Sequence, residues 1–393
     1  MNPKLLFFKH LAPTSDAPLA LEIESAKGMY FTTTDGKKML DLIAGISVSI
    51  LGHRHAKVER AVNKQVKKYW HTMVYGEFIL SPQVAYAKAL TDNLPKNLNS
   101  VYFTNSGTEA IEGAMKLAKR VTGRKKFVAA RNAYHGSTQG AMSLNSSEYF
   151  TDAYKPLLPN IEWLDFNNLD DLKLIDENTA AVIVETIQAE SGINPPSYGY
   201  LEALSARCKS VGALLILDEA QAGFGRTGKL WGFCHTRIHP DILVLAKSLG
   251  GGFPLGAFIS DTTLMQTLSE NPVLGHITTF GGHPVSCAAG LATFNELIDS
   301  NLIAQCESKR QLFLKNLHHP KIKTIRSIGL WLAVELESFD EVKRVIIYCL
   351  QHGILTDWFL FNDKCLRIAP PLIITEKQIR RACKVICEAL NVA

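Results

Sequence analysis

Between residues 100 and 260 the chain, which has no internal sequence repeat, alternates short apolar β-rich runs with polar or helix-periodic stretches. "SVYFTNSG" opens the series. "TEAIEGAMKLAKRVTG" then places Ala110, Ile111, Ala114, Leu117, Ala118 and Val121 at helical spacing, with Gly123 positioned to close the helix. "KKFVAA", "AAVIVE", "GALLILDEA" and "DILVLAK" read as four further strands. Strands that are continuously apolar, rather than alternating, must be buried on both faces, so the pattern predicts an α/β fold with a mainly parallel sheet between helical layers. In such sheets ligands gather beyond the carboxyl ends of the strands. The residues found there are Ser106, Gly107 and Thr108; Tyr134, His135 and Gly136; Glu185; Asp218 and Gln221; and Lys247.

The remainder of the chain bounds the answer. At 393 residues it exceeds one hydrophobic core, so a large domain with a smaller companion is expected. Short strand signals surround "LEIESAKGMYFTTTDGKKMLDL", with Asp35-Gly36 as a hairpin turn, and the last hundred residues mix helices with strand-like "GLWLAVELE" and "KCLRIAPPLII". Residues 1–45 and 295–393 are therefore expected to form the smaller domain around a large domain of residues 46–294. A net charge of +5 without a long basic block gives nucleic-acid binding no support. No apolar run reaches the roughly 18 residues of a membrane span. The four-residue apolar stretch in "MNPKLLFFKHLAPTSD" is too short for a signal-peptide core. Eight cysteines lacking a C-x-x-C pair suit reduced thiols, and a cytoplasmic protein without membrane partners is the expectation.

Two motifs invite a different chemistry. "GFGRTGK" (223–229) imitates a phosphate loop, but Leu230 stands where a magnesium-binding hydroxyl is required. His53 and His55 of "GHRH" have no carboxylate or thiol near them in the sequence, and no metal site is expected.

Each strand-exit residue alone has a plain reading. Ser106, Gly107 and Thr108 could be an ordinary helix cap, or a phosphate seat at a helix N-terminus. Asp218 could be a structural ion pair or a metal ligand, or the partner of a protonated pyridine nitrogen. Gln221 could donate to a phenolate oxygen on the same ring. Tyr134 could be core packing or a stacking platform. Lys247 could sit in a solvated loop, or be a desolvated amine that forms a Schiff base with an aldehyde. Together they describe the phosphate, ring face, ring nitrogen, phenol oxygen and aldehyde of pyridoxal 5′-phosphate.

The strings "FTNSGTEAIEGAMKLAKR", "AYHGST", "ETIQAESG", "LLILDEAQAGFGRTGKLWGF", "LAKSLGGGFPLGA", "TTFGGHPVSCAA" and "LRIAPPLIIT" occur in order between about Gly28 and Thr375. In them the chain resembles the class III (subgroup II) pyridoxal-phosphate aminotransferases, which include acetylornithine, ornithine and 4-aminobutyrate aminotransferases. The resemblance implies fold type I and a homodimer with active sites at the subunit interface. It implies that Lys247 is the Schiff-base lysine and proton shuttle, with Asp218 on the pyridine nitrogen and Gln221 on the phenolic oxygen. Ser106, Gly107 and Thr108 would seat the phosphate, Tyr134 would stack on the ring, and His135 and Glu185 would stand with the cofactor-binding set. Thr279 would reach the phosphate of the neighbouring subunit. Arg367 would bind a substrate carboxylate, Glu190 would pair with Arg367, and Ser137 would border the substrate.

The implied reaction moves an amino group from an ω-amino acid or diamino acid to a 2-oxo acid, with 2-oxoglutarate as acceptor. Two positions depart from the family pattern. Ser137 of "HGST" stands where these branches carry an arginine that holds a carboxylate, and Glu185-Thr186 replaces a Glu-Pro pair. Aminomutase, decarboxylase or racemase chemistry on the same fold, and cofactor binding without catalysis, are the alternatives; a transaminase alone requires an oxo-acid acceptor.

Overall fold

The computed structural model describes residues 2–392. Near the N-terminus β1 (Ile23–Lys27), β2 (Tyr30–Thr33) and β3 (Lys38–Asp41) form an antiparallel meander, and Gly36, at φ +82°, makes the tight turn between β2 and β3.

Seven strands follow: β4 (Ser100–Thr104), β5 (Lys126–Ala130), β6 (Ile161–Leu164), β7 (Thr179–Glu185), β8 (Leu214–Asp218), β9 (Ile242–Leu245) and β10 (Gly256–Ser260). They form one sheet in the order β4-β10-β9-β8-β7-β5-β6. Pairing is parallel from β6 through β9, and β10 runs antiparallel between β9 and β4. Every residue of β7 is buried, as the continuous apolar run requires. Ala181 and Ile183 face one layer with Ile216, Val244 and Phe258, against Ile111, Ala114 and Leu117 of the Gly107–Thr122 helix. Val182 and Val184 face the other with Leu215, Leu217, Leu243 and Leu245, in a core shared with Leu201, Leu204 and Phe294. Each such branched side chain withdrawn from water contributes about 1.5–3 kcal/mol, which fixes strand position strongly at the centre of the sheet.

The C-terminal part carries β11 (Thr324–Ser327), β12 (Leu332–Glu335), β13 (Ile354–Leu355), β14 (Asp357–Phe359) and β15 (Asn362–Ile368). Strands β11, β12, β15 and β14 make a second four-stranded sheet, while β13 leaves it to pair in parallel with β3, Ile354 opposite Leu40 and Leu355 opposite Asp41. All eight cysteines are free thiols. Among the described residues no helix is long and apolar enough to cross a membrane, and no group of three or more His, Cys, Asp or Glu side chains is placed to hold a metal ion. His53 instead contacts Asp41 at 2.9 Å, and Arg226 of the "GFGRTGK" stretch is fully buried, donating from Nη1 to the carbonyls of Leu330 (2.8 Å) and Pro370 (2.6 Å).

Candidate active site

The carboxyl ends of the parallel strands open into a cavity of about 470 Å³. Its lining includes Ser106, Gly107, Thr108, Tyr134, His135, Ser137, Asp218 and Lys247, residues that come from four separate strand exits.

The first side is a helix N-terminus. Ser106 is the N-cap, and its Oγ accepts the Glu109 N–H at 3.3 Å, while Glu109 reaches back to accept the Asn105 N–H at 2.7 Å. This reciprocal arrangement is a variant of the capping box. The N–H groups of Gly107 and Thr108 lie in the first turn, where no intrahelical acceptor exists, and the positive end of a 16-residue helix points into the cavity. Gly107 permits this: a Cβ there would meet Ala246 at 3.0 Å. Gly136, at φ +131°, allows its loop to lie against Thr108, where an added Cβ would overlap the Thr108 side chain. Thr108 Oγ1 is further tied to Thr138 Oγ1 at 2.5 Å.

The floor is acidic. Asp218 ends β8 and is 6% exposed; one oxygen accepts the Ala220 N–H at 2.9 Å and the other lies 2.8 Å from His135 Nδ1. His135 Nε2 is buried without a hydrogen-bond partner. Glu185 ends β7 directly opposite Asp218 in the parallel register. Burial first, and then the charge of Asp218, push its carboxyl well above the ordinary range.

Lys247 supplies the amine. It follows β9 with φ +52°, a left-handed backbone conformation that a side-chain-bearing residue adopts at a cost of about 1 kcal/mol or more. Its amine has no hydrogen-bond or ion-pair partner among the described residues. Burial draws its pKa below the ordinary lysine value, opposed by the carboxylates of Glu190 and Asp218. An amine held in a strained turn, partly desolvated and free of partners, is equipped for nucleophilic attack on a carbonyl and for proton transfer.

Not all of the sequence-derived residues reach the cavity surface. Gln221 is buried and its Nε2 donates to Glu190 Oε1 at 2.9 Å, so its free amide points at an acid, while its Oε1 lacks a partner. Glu190 and Arg367 form a buried bidentate pair at 2.9 and 2.8 Å. Burial works to raise the Glu190 carboxyl, but Arg367 outweighs it and holds it below the ordinary value. Thr279 is exposed and outside the cavity of its own chain. Sequence reasoning passed over Val48 and Phe253, which line the cavity, and Asp357, which stands 3.0 Å from Arg367. An apolar side chain carries no chemical signal of its own. Asp357, a lone acid inside "ILTDWF", could have been singled out on that ground.

Comparison with known proteins agrees with this geometry. Residues 11–390 match the family model described as Aminotransferase class-III. The chain is 37% identical to the acetylornithine aminotransferase of Methanopyrus kandleri over 91% of both chains. It is also 37% identical to the putrescine aminotransferase of Pectobacterium atrosepticum over 98% of this chain and 85% of that one. Among solved structures, the ornithine aminotransferase of Toxoplasma gondii, described with partial occupancy of PLP at its active site, superposes with a TM-score of 0.90 at 30% identity, covering 99% of this chain and 94% of that one.

Proposed function

The chain belongs to the class-III aminotransferases and is a pyridoxal-phosphate-dependent transaminase; from that premise we propose that it transfers the amino group of an ω-amino acid, a diamino acid or a diamine to 2-oxoglutarate. The observation that carries the reading is the unpartnered, strained Lys247 in a cavity that also holds a helix N-terminus and a buried aspartate.

Those residues fit the cofactor. Ser106, Gly107 and Thr108 would hold a phosphate through free N–H groups and hydroxyls. Tyr134 would cover one ring face, and Asp218, oriented by His135, would hold the ring nitrogen. Orphaned buried atoms on His135, Glu185 and Gln221 support polar chemistry at this place, since such atoms are rarely left without partners. Bound there, pyridoxal phosphate supplies an electron sink for the electrons released at the substrate carbon.

The chain's own residues do the remainder. Lys247 Nζ would hold the cofactor through its carbonyl and would take up and give back a proton at the substrate carbon. The raised carboxyl of Glu185 beside Asp218 lessens the repulsion between two adjacent buried acids. Arg367 would receive a carboxylate after Glu190 withdraws, and Ser137 would put no cation in the cavity lining where it stands.

The test is a panel of amines added to the purified holoenzyme, with cofactor absorbance as the readout. Putrescine, ornithine, N-acetylornithine and 4-aminobutyrate are the informative members. We expect the amine lacking a distal carboxylate to convert the cofactor at least as fast as 4-aminobutyrate, and Ser137→Arg to shift the preference roughly tenfold toward carboxylate-bearing amines. If no member converts the cofactor, the donor class is wrong; if Ser137→Arg leaves the order unchanged, Ser137 does not set it.

We also propose a cytoplasmic homodimer in which Thr279 serves the partner's site, and a smaller domain made of residues 1–45 and 295–393. Support for the dimer comes from the exposed apolar residues Val273, Leu274, Ile277 and Phe280 around Thr279. Sedimentation equilibrium should return twice the 43.4 kDa chain mass, and a monomer at micromolar concentration would refute it. The pairing of β3 with β13 is what supports the two-ended domain.

A further inference from the structure

Arg367 is held from two sides. Its Nη1 and Nη2 donate to both oxygens of Glu190 at 2.9 and 2.8 Å, and Nη2 also donates to the Trp358 carbonyl at 2.7 Å. The guanidinium carbon lies 4.4 Å over the Phe359 ring. On the other edge Asp357 stands directly opposite Arg367 in the antiparallel pairing of β14 with β15, with Oδ1 3.0 Å from Nε. That contact is an ion pair without hydrogen-bond alignment, and both atoms are buried without a hydrogen bond. Asp357 therefore acts on Arg367 through its charge.

Resting on the reading of Arg367 as a carboxylate receptor, we propose that Asp357 is a specificity-determining residue: as a second anion beside Arg367 it weakens the binding of carboxylate-bearing substrates there and favours amines that carry none. The geometry supplies the reason. When Glu190 withdraws to admit a ligand carboxylate, Asp357 remains beside the guanidinium, fixed by the strand register, and the incoming anion meets an arginine that is already neutralised.

The charges facing Asp357 are Arg367 on β15, Glu190 from the loop after β7, and Asp41 at the end of β3, whose own partner is His53. Burial raises the Asp357 carboxyl to about 7, against the attraction of Arg367 and with help from Glu190 and Asp41. The direction of the pH effect follows. Below about 7 Asp357 is neutral and does not oppose a ligand carboxylate; above it, the charge returns and affinity falls. Glu190 is held ionised by Arg367 through this range, and Arg367 stays charged. Glu185, which is also raised, contributes equally with and without Asp357.

The experiment measures the binding of glutarate, a dicarboxylate with no oxo group, to the holoenzyme by calorimetry at several values between about pH 6 and 8, together with kcat/KM for 4-aminobutyrate and putrescine. A unit charge at this separation changes binding by about tenfold, so the wild-type Kd should rise about tenfold across the range. Asp357→Asn should bind glutarate tightly throughout and move the 4-aminobutyrate to putrescine ratio upward by a similar factor at the alkaline end, converging on wild type at the acid end. A flat wild-type profile overturns the inference without any variant. So does an unchanged rise in Asp357→Asn. If glutarate binding is absent, or is untouched by Arg367→Ala, then Arg367 is not the carboxylate receptor and both readings fall together.

Discussion

Replacing Lys247 by alanine will reduce transamination by roughly four orders of magnitude while leaving the fold and the phosphate seat in place. Alanine removes the amine that would bond to the cofactor carbonyl and the group placed to move the proton; no second lysine lines the cavity. The other cationic side chain nearby, Arg367, is occupied by Glu190 and cannot act as a base at neutral pH. The backbone at residue 247 stays left-handed in the variant, at φ near that of Lys247, and alanine tolerates this no worse than lysine. Loss of activity should therefore come without a fall in thermal midpoint beyond a few degrees. Cofactor should still bind through the Gly107–Thr122 helix terminus but without the covalent bond, so that gel filtration strips it from the variant and leaves it on wild type. Activity within about tenfold of wild type would show that the amine is not the proton carrier.

Asp218→Asn is expected to lower kcat by about 10²–10³-fold with a small effect on overall stability. Asparagine keeps the size and one acceptor for the Ala220 N–H, but it cannot balance the positive charge of a protonated ring nitrogen beside a side chain that is itself buried. The substitution also breaks the pair with His135, whose ring has no alternative partner on Nε2. The rate of the first half-reaction, followed at saturating cofactor, separates this loss from weaker cofactor affinity. If kcat falls less than about threefold, the charge of Asp218 does not contribute to the chemical step.

Strands β4, β5, β7, β8 and β9, the closing glycine of the Gly107–Thr122 helix and the hairpin at Gly36 were legible because each depends on residues adjacent in sequence, whereas β6 and the antiparallel β10 were not read. A continuous run such as Thr179–Glu185 can be satisfied only at the centre of a sheet, so its end had to be a strand exit. For the same reason Ser106, Thr108, Tyr134, Asp218 and Lys247 could be assembled on one rim from order alone, since parallel strands align all their carboxyl ends.

What the chain order could not contain was decided by packing between distant parts. Glu190 meets Arg367 across 177 positions, and Gln221 turns from the cavity toward Glu190 because that buried acid offers it an acceptor. Asp357 becomes the second counter-charge of Arg367 through the register of β14 against β15, which no local pattern specifies. Burial then sets what these groups do: the same carboxyl chemistry is pushed well up at Glu185, held down at Glu190 and raised to about 7 at Asp357, according to which cation the fold brings near and how far each is withdrawn from water. Sequence determined which chemical groups lie along the sheet edge, since strand alternation is local; the tertiary structure alone decided their charges and partners, because desolvation and ion pairing are properties of the packed interior.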